Sequence, residues 1–413
     1  MPTPILIAVL VPLMTGLAAV ADDMRPVPLK AKVTHVQPMT GIVLWSTNEA
    51  AASSPIQLEF RYFGYDEVVR EEGMYDWSAV ERFLDDVAGR GHQAVLRWHD
   101  TYVGKPSSVP PYIRALEGYR GQTAKSEGKP TGFPDWSHPE LRRFTLEFFD
   151  RFAARYDRDP RLAFLEVGFG LWSEYHLYDG PMEMGRTFPS LEYQRDFANH
   201  LSKRLAQTPW MVSVDAAGEW SPFAKDKALL ALPFGVFDDS FNCVQHAREN
   251  EPNWDALGRD RWKIAPAGGE FSFYERKDQR DALAPAGPHG ESFEHEAARF
   301  HLTFILGDAQ PRFQKPDRIR EASMACGYRF RVARFEASPT RSEVTVENKG
   351  VAPIYHDAFP AVNGVRSNDS LKGLLPGQSR TFAIASGGES PKLTIESDRL
   401  VRGQRIEFDA DLP

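Results

Sequence analysis

Eight short apolar runs recur along the first three quarters of the chain, and most are separated by stretches with a helical period. They read GIVLWS (41–46), QLEFRYFGY (57–65), HQAVLRW (92–98), a run opening LAFLEV at Leu162, WMVSVDA (210–216), FGVFDDSFN (234–242), KIAPAGGEF (263–271) and HLTFILGD (301–308). Between them, Val80, Phe83, Leu84 and Val87 share one helical face. Pro139 opens a strongly amphipathic helix through Phe144, Phe148, Phe149 and Phe152 to Tyr156. Further helical stretches are read at 190–207, 224–232 and 292–300. Strands alternating with helices over about 290 residues fit a (β/α)8 TIM barrel, which takes about 250 residues and more with insertions. An open doubly wound sheet is the rival, but no Gly-rich phosphate loop follows a first strand, and polar side chains collect at many strand ends rather than at one switch point.

After Asp308 the texture changes. A basic linker at 310–324 leads into short alternating runs such as FRVARFEA, SEVTVENKG, SRTFAIAS and KLTIESD, punctuated by Gly and Pro. This is the pattern of a small all-β, antiparallel, immunoglobulin-like sandwich of about 85 residues. The expected organisation is a leader at 1–21, an α/β barrel at 22–325 and the β-sandwich at 326–413. A long loop at about 103–137 interrupts the barrel, and loops of that length are usually lids or binding walls.

The leader, Met1 to Ala21, carries no charged side chain, has a short apolar core and ends in Ala-Val-Ala before two aspartates. It reads as an export signal, with an uncleaved anchor as the alternative, so a secreted or periplasmic protein is expected. No other stretch is long enough to span a membrane. With 49 basic against 57 acidic residues and no basic run, nucleic acid is not an expected partner. Cys243 and Cys326 have no metal-ligand spacing. They either pair, as an oxidising compartment permits, or stay as two isolated buried thiols.

In a barrel enzyme the site is built at the carboxyl ends of the strands. Those ends carry Arg61 and Tyr62 (second), Arg97, Trp98, His99 and Asp100 (third), Trp172, Glu174 and His176 (fourth), Asp215 (fifth), Asp238 and Asp239 (sixth), Glu270 (seventh) and Asp308 (eighth). There is no serine nucleophile motif, and His295 and His301 do not form a zinc-binding pattern. Carboxylate chemistry on a sugar is the economical reading, with no cofactor and no metal. Glu174, flanked by Trp172 and Tyr175, is expected to be desolvated and protonated. Glu270, leaving a Gly-Gly turn, is expected to be held ionised by Arg61 or Arg97. Trp98 and Trp172 offer flat faces for sugar rings, and Arg61, Arg97, His99, His176 and Asp215 complete the expected substrate-binding set. Glu166 reads as a structural ion inside the barrel. Glu219 beside Trp220 is a rival to Glu270, and Asp238-Asp239 reads as a solvated loop or a calcium pair.

These residues resemble a known pattern. Glutamates at the ends of the fourth and seventh strands mark the clan A retaining glycoside hydrolases, in which the first is the acid/base and the second the nucleophile. The block from EFRYFGYDEV to LRWH looks like the second and third strands of those enzymes. The GFGLWSEYH and GGEFSF blocks, with a small sandwich behind, resemble a bacterial family of glycosidase-like barrels without an assigned function. The resemblance implies Glu174 as acid/base and Glu270 as nucleophile on a plant or microbial polysaccharide. One position departs from it: Ser173 stands where that clan usually has the Asn that binds the sugar 2-hydroxyl. Two other readings stay open. One is a non-catalytic carbohydrate-binding barrel in exopolysaccharide capture or assembly. The other is a metal-dependent hydrolase using Asp215, Asp238 and His99.

Overall fold

The computed structural model describes residues 23–413. The leader expected at Met1–Ala21 lies outside the described residues. All eight expected strands form and close into one parallel barrel. They are β1 (Gly41–Trp45), β2 (Leu58–Gly64), β3 (Gln93–His99), β4 (Leu162–Glu166), β5 (Trp210–Ser213), β6 (Gly235–Phe241), β7 (Ala267–Phe271) and β8 (Phe304–Leu306). Neighbours follow chain order around the ring, and β8 closes on β1 through Phe304–Gly41 and Ile305–Ile42.

Side chains alternate across a strand, so every second residue faces the barrel interior. The lower interior is apolar: Val43, Phe60, Val95, Phe164, Met211, Phe237 and Phe304 are buried together. One step of two up the strands the interior turns polar, with Tyr62, Arg97, Glu166, Asp239 and Glu270. The outward residues meet the helices. Helix α1 (Ser78–Gly89) buries Val80, Phe83, Leu84 and Val87. Helix α2 (Pro139–Tyr156) carries Pro at its first position, where no N–H is needed. It buries Phe144, Phe148, Phe149 and Phe152. Helix α3 (Leu191–Arg204) is capped by Ser190, whose side chain accepts from the Tyr193 N–H.

Several details differ from the sequence expectation. The long loop at 103–137 contains a two-stranded hairpin, Gln122–Ser126 with Lys129–Phe133. A helix not read from the sequence, Glu251–Gly258, lies between β6 and β7; Pro252 near its start and its short length hide the period. Cys243 and Cys326 are free and buried. Among the described residues no helix is long and apolar enough to cross a membrane.

The C-terminal part is all β. Its strands are β9 (Phe330–Ala337), β10 (Ser342–Asn348), β11 (Phe359–Val362), β12 (Val365–Arg366), β13 (Ser379–Ile384), β14 (Leu393–Glu396) and β15 (Phe408–Leu412). One sheet runs β13-β10-β9-β15 and is extended by two strands from the leading segment, Leu29–Ala31 on β15 and Arg25–Pro26 on β9. The other sheet is β12-β11-β14. Val332, Val344, Phe382, Val362 and Ile395 share one apolar core between them. Two expectations are corrected here. The β9–β15 pair is parallel, so the sheet is not wholly antiparallel. The segment at 25–31, grouped by sequence with the barrel, pairs with the C-terminal sheet.

This β unit seals the amino end of the barrel. His356 Nε2 lies 3.1 Å from the Ala163 carbonyl and its ring sits 5.9 Å from that of Phe164. The buried Arg399 guanidinium donates to the carbonyls of Asp157 (3.0 Å) and Leu162 (2.8 Å) and to Thr208 Oγ1 (3.2 Å). The Gln93 side chain in turn donates to the Arg399 carbonyl at 2.7 Å.

Candidate active site

The chain leaving β4 folds back on itself, and two glycines make that possible. A Cβ on Gly168 would stand 1.8 Å from the Ser173 carbonyl oxygen, and one on Gly170 would stand 2.3 Å from that of His176. The Leu171 N–H donates to the His176 carbonyl (3.0 Å), Tyr175 N–H to Phe169 (2.9 Å) and Trp172 N–H to Thr101 (3.1 Å). Trp172, Ser173 and Tyr175 are held at φ of 51°, 64° and 64°. Left-handed backbone at three non-glycine residues costs energy and is concentrated at functional sites. The turn sorts its side chains by parity: Ser173 and Tyr175 are buried, whereas Trp172, Glu174 and His176 open into a cavity. The Ser173 hydroxyl donates to the Trp98 carbonyl at 2.5 Å. The residue in the usual Asn position therefore braces the turn and faces away from the cavity.

The cavity, of about 720 Å³, lies at the carboxyl end of the barrel. Glu174, Glu270, Trp172, His176 and Asp215 all line it, as do Tyr62, Tyr102 and Asp239. Its electrostatic centre is Arg97, buried beneath the floor. The Arg97 guanidinium binds Glu166 Oε2 through Nη2 (2.5 Å) and Nε (2.7 Å). Its Nη1 donates to Asp239 Oδ2 (2.7 Å), to the Tyr62 hydroxyl (2.8 Å) and, more weakly, to Glu174 Oε1 (3.3 Å). The flat group also lies 4.1 Å over the Phe237 ring.

One cation thus faces more carboxyls than it can neutralise, and protonation resolves the excess. Burial, then the charge of Asp239, push the Glu174 carboxyl well above the usual carboxylate range. The same two causes push Glu270 up. Burial raises Glu166 to about 7 against the pull of Arg97. Glu166 and Asp239 hold the short ion pairs with Arg97. Burial acts on Glu174 in the expected direction, favouring its protonated form. Glu270 does not meet its expectation: Arg61 and Arg97 are both engaged elsewhere, and no hydrogen bond or ion pair joins its side chain to another among the described residues.

Other expected site residues fall outside the cavity. Arg61 sits one residue out of register with Tyr62, so it points outward. It pairs with Glu67 (2.9 Å) and lies 4.0 Å over the Phe63 ring. Trp98 is likewise outward, fully buried against Phe148 with centroids 4.6 Å apart, and is no sugar platform. His99 is buried behind the wall, with Nδ1 3.2 Å from Ser108 Oγ and its ring against Tyr62 and Tyr102. Burial lowers it to about 3, so it is a neutral support. Asp238 is the exception: buried and turned from the barrel interior, it is hydrogen-bonded to His246 and Asn250 and still lines the cavity. It is therefore neither a solvated loop residue nor gathered with Asp215 and His99 for a metal. Asp308 accepts from the Trp45 N–H (3.0 Å) and Asn48 (2.6 Å), tying β8 to the loop after β1.

The donors that do converge are Glu174, His176 and Asp215, within 4.8 Å of one another. His176 Nδ1 is bonded to Asp215 Oδ2 at 3.0 Å, and its Nε2 faces Glu174 Oε2 at 3.6 Å. This is a string Asp215–His176–Glu174 that fixes the ring and aims its second nitrogen at the acid.

Sequence reasoning missed the rim. Tyr178, Phe273 and Tyr274 line the cavity and are 59%, 62% and 61% exposed. Tyr178 lies nearly parallel to Trp172 at 6.2 Å and donates to Glu127, which the hairpin at 122–133 carries to the cavity. Asp239 was findable: it shares parity with Phe237, which faces inward.

No family model matches the chain, and no curated protein matches it. Among solved structures the chain is similar to endo-glycoceramidase II from Rhodococcus sp., described as a lactosyl-enzyme intermediate. That match has 12% identity, 88% of this chain, 99% of the other and a TM-score of 0.40. It is similar to a GH5-4 broad-specificity endoglucanase from an uncultured bacterium (10%, 70% and 85%, 0.40). A third is a GH36 alpha-galactosidase from Geobacillus stearothermophilus (10%, 88% and 56%, 0.37).

Proposed function

We propose that the protein is a glycoside hydrolase working through two carboxyls of the cavity. Glu174 is the acid/base and Glu270 the nucleophile. The observation that carries this reading is that both open into one ring-lined cavity at the carboxyl mouth of the barrel, where burial keeps Glu174 protonated. Glu270, once ionised, attacks the anomeric carbon while the bond to the leaving oxygen breaks and the Glu174 proton passes to that oxygen. Water then attacks the same carbon and gives its proton to Glu174, and the ester to Glu270 breaks. Asp239, ion-paired to Arg97, lines the same cavity, and a carboxylate there suits the positive charge that develops on the sugar ring.

A second reading is a barrel that binds glycans without cleaving them. Its support is that Glu270 has no ion pair among the described residues, and burial and the charge of Asp239 push its carboxyl up despite the pull of Arg97. The test is release of reducing ends from a panel of plant and microbial polysaccharides, with the product anomer followed by NMR. The hydrolase reading expects retained configuration, and near-complete loss in Glu174→Gln and Glu270→Gln. Saturable binding to a glycan with no product formed would establish the binding barrel instead.

A further inference from the structure

We propose that the cavity takes a glycan bearing free amino groups, an oligomer or polymer of amino sugars left unacetylated; this rests on the carbohydrate reading above. The lining holds Glu127, Glu174, Asp215, Asp238, Asp239, Glu249 and Glu270 and, among the described residues, no lysine or arginine. The cation beneath, Arg97, is spent on Glu166, Asp239 and Glu174. Lys105 touches the wall only from outside the lining, 3.9 Å over the Tyr102 ring. His176 is committed to Asp215 through Nδ1.

A site for acidic sugars would present guanidinium or ammonium groups, and this one presents the opposite sign. A neutral sugar needs the reacting carboxyls and a few hydroxyl partners. It does nothing for the carboxyls crowded in the concave wall, whose ionised forms repel one another and are disfavoured. An ammonium group on the sugar relieves that crowding. It also bears on Glu270: a cation in the cavity favours its ionised form, against burial and the charge of Asp239. The rim suits the same ligand. Trp172, Tyr178, Phe273 and Tyr274 line the cavity, and an aromatic face attracts an ammonium as well as stacking on a sugar ring. Glu127 and Glu249 stand at the exposed mouth, where carboxylates draw in a cationic chain.

The experiment measures binding by calorimetry, and cleavage by reducing-end release, on glucosamine and galactosamine oligomers, each free-amine and fully N-acetylated, with a neutral glucan beside them. Free-amine oligomers are expected to bind at least tenfold tighter than their acetylated forms. The difference should collapse at 0.5 M salt and binding should release protons. Glu127→Gln with Glu249→Gln should weaken it severalfold, while Glu389→Gln on the β unit leaves it unchanged. Equal or tighter binding of acetylated or neutral oligomers, or no binding of any free-amine oligomer, overturns the proposal. So does an equal loss in Glu389→Gln, which would make the attraction a property of net charge. The two readings fail separately. Cleavage of a neutral glycan alone sinks this inference and keeps the hydrolase; tight amine-dependent binding without cleavage keeps the inference and sinks the hydrolase.

Discussion

The two mouths of the barrel are built from the same strands and treated in opposite ways. At the amino end the β unit closes the opening and pairs most of what it buries: Arg399 places its two terminal nitrogens on three oxygens, with only Nε left over, and His356 meets a carbonyl. At the carboxyl end no described residue closes the opening, and the polar groups are over-supplied with one sign of charge. Glu174 and Glu270 stay in a cavity where burial disfavours their ionised forms. Satisfied polar groups make a stable seal, whereas unsatisfied ones hold free energy that only a ligand or a reaction can release.

The contrast can be broken first at the open end. Glu174→Gln should lower kcat on any glycan the protein cleaves by about 10²- to 10⁴-fold, the usual worth of a general acid, with Tm unchanged or raised. Loss of less than about tenfold would move the acid elsewhere. Next, Arg97→Met removes the one counter-charge of Glu166 and Asp239 and should destabilise the fold by about 3–5 kcal/mol in urea unfolding. The matching change at the sealed end, Arg399→Met, strands carbonyls rather than charges and should cost about 1–3 kcal/mol with turnover per folded molecule intact.

The two ends should also answer pH with opposite sign. Glu166 is raised to about 7, so its contribution is fully present below the ordinary carboxylate range and is lost as pH rises through about 7. His356 is lowered far below its ordinary value by burial, so its contribution is present above about pH 6.5 and is lost as pH falls. Glu166→Gln should flatten the alkaline decline in Tm, and His356→Gln the acid one. A profile in which each variant changed both limbs would show the ends to be coupled. The smallest effect is at the rim: Phe273→Ala should weaken glycan binding by about 1 kcal/mol, roughly fivefold, without moving Tm.

Much of this was legible in the sequence because it depends on local period. The eight strands, the faces of α1 and α2, the Gly-supported turn at Gly168 and Gly170, and the exit of Glu174 and Glu270 toward one mouth all follow from spacing. Side-chain parity was legible too but has to be applied consistently. Arg61 and Trp98 were expected at the site because they stand at strand ends, yet each lies one residue from an inward neighbour, Tyr62 and Arg97. Asp239 was passed over beside Asp238 for the same reason.

What the sequence determined by itself is the kind of chain this is: a strand-helix alternation long enough to close a barrel, an all-β tail, and carboxyls delivered to one end. What only the tertiary structure decided is which carboxyl meets which cation. Arg97, Glu166 and Asp239 come from separate strands, and their partnership depends on barrel closure and register. So does the rim, where Glu127 on its hairpin meets Tyr178 from the turn after β4. Local period decides which face a residue occupies. Charge pairing is a long-range matter of a few ångströms, and no spacing along the chain encodes it.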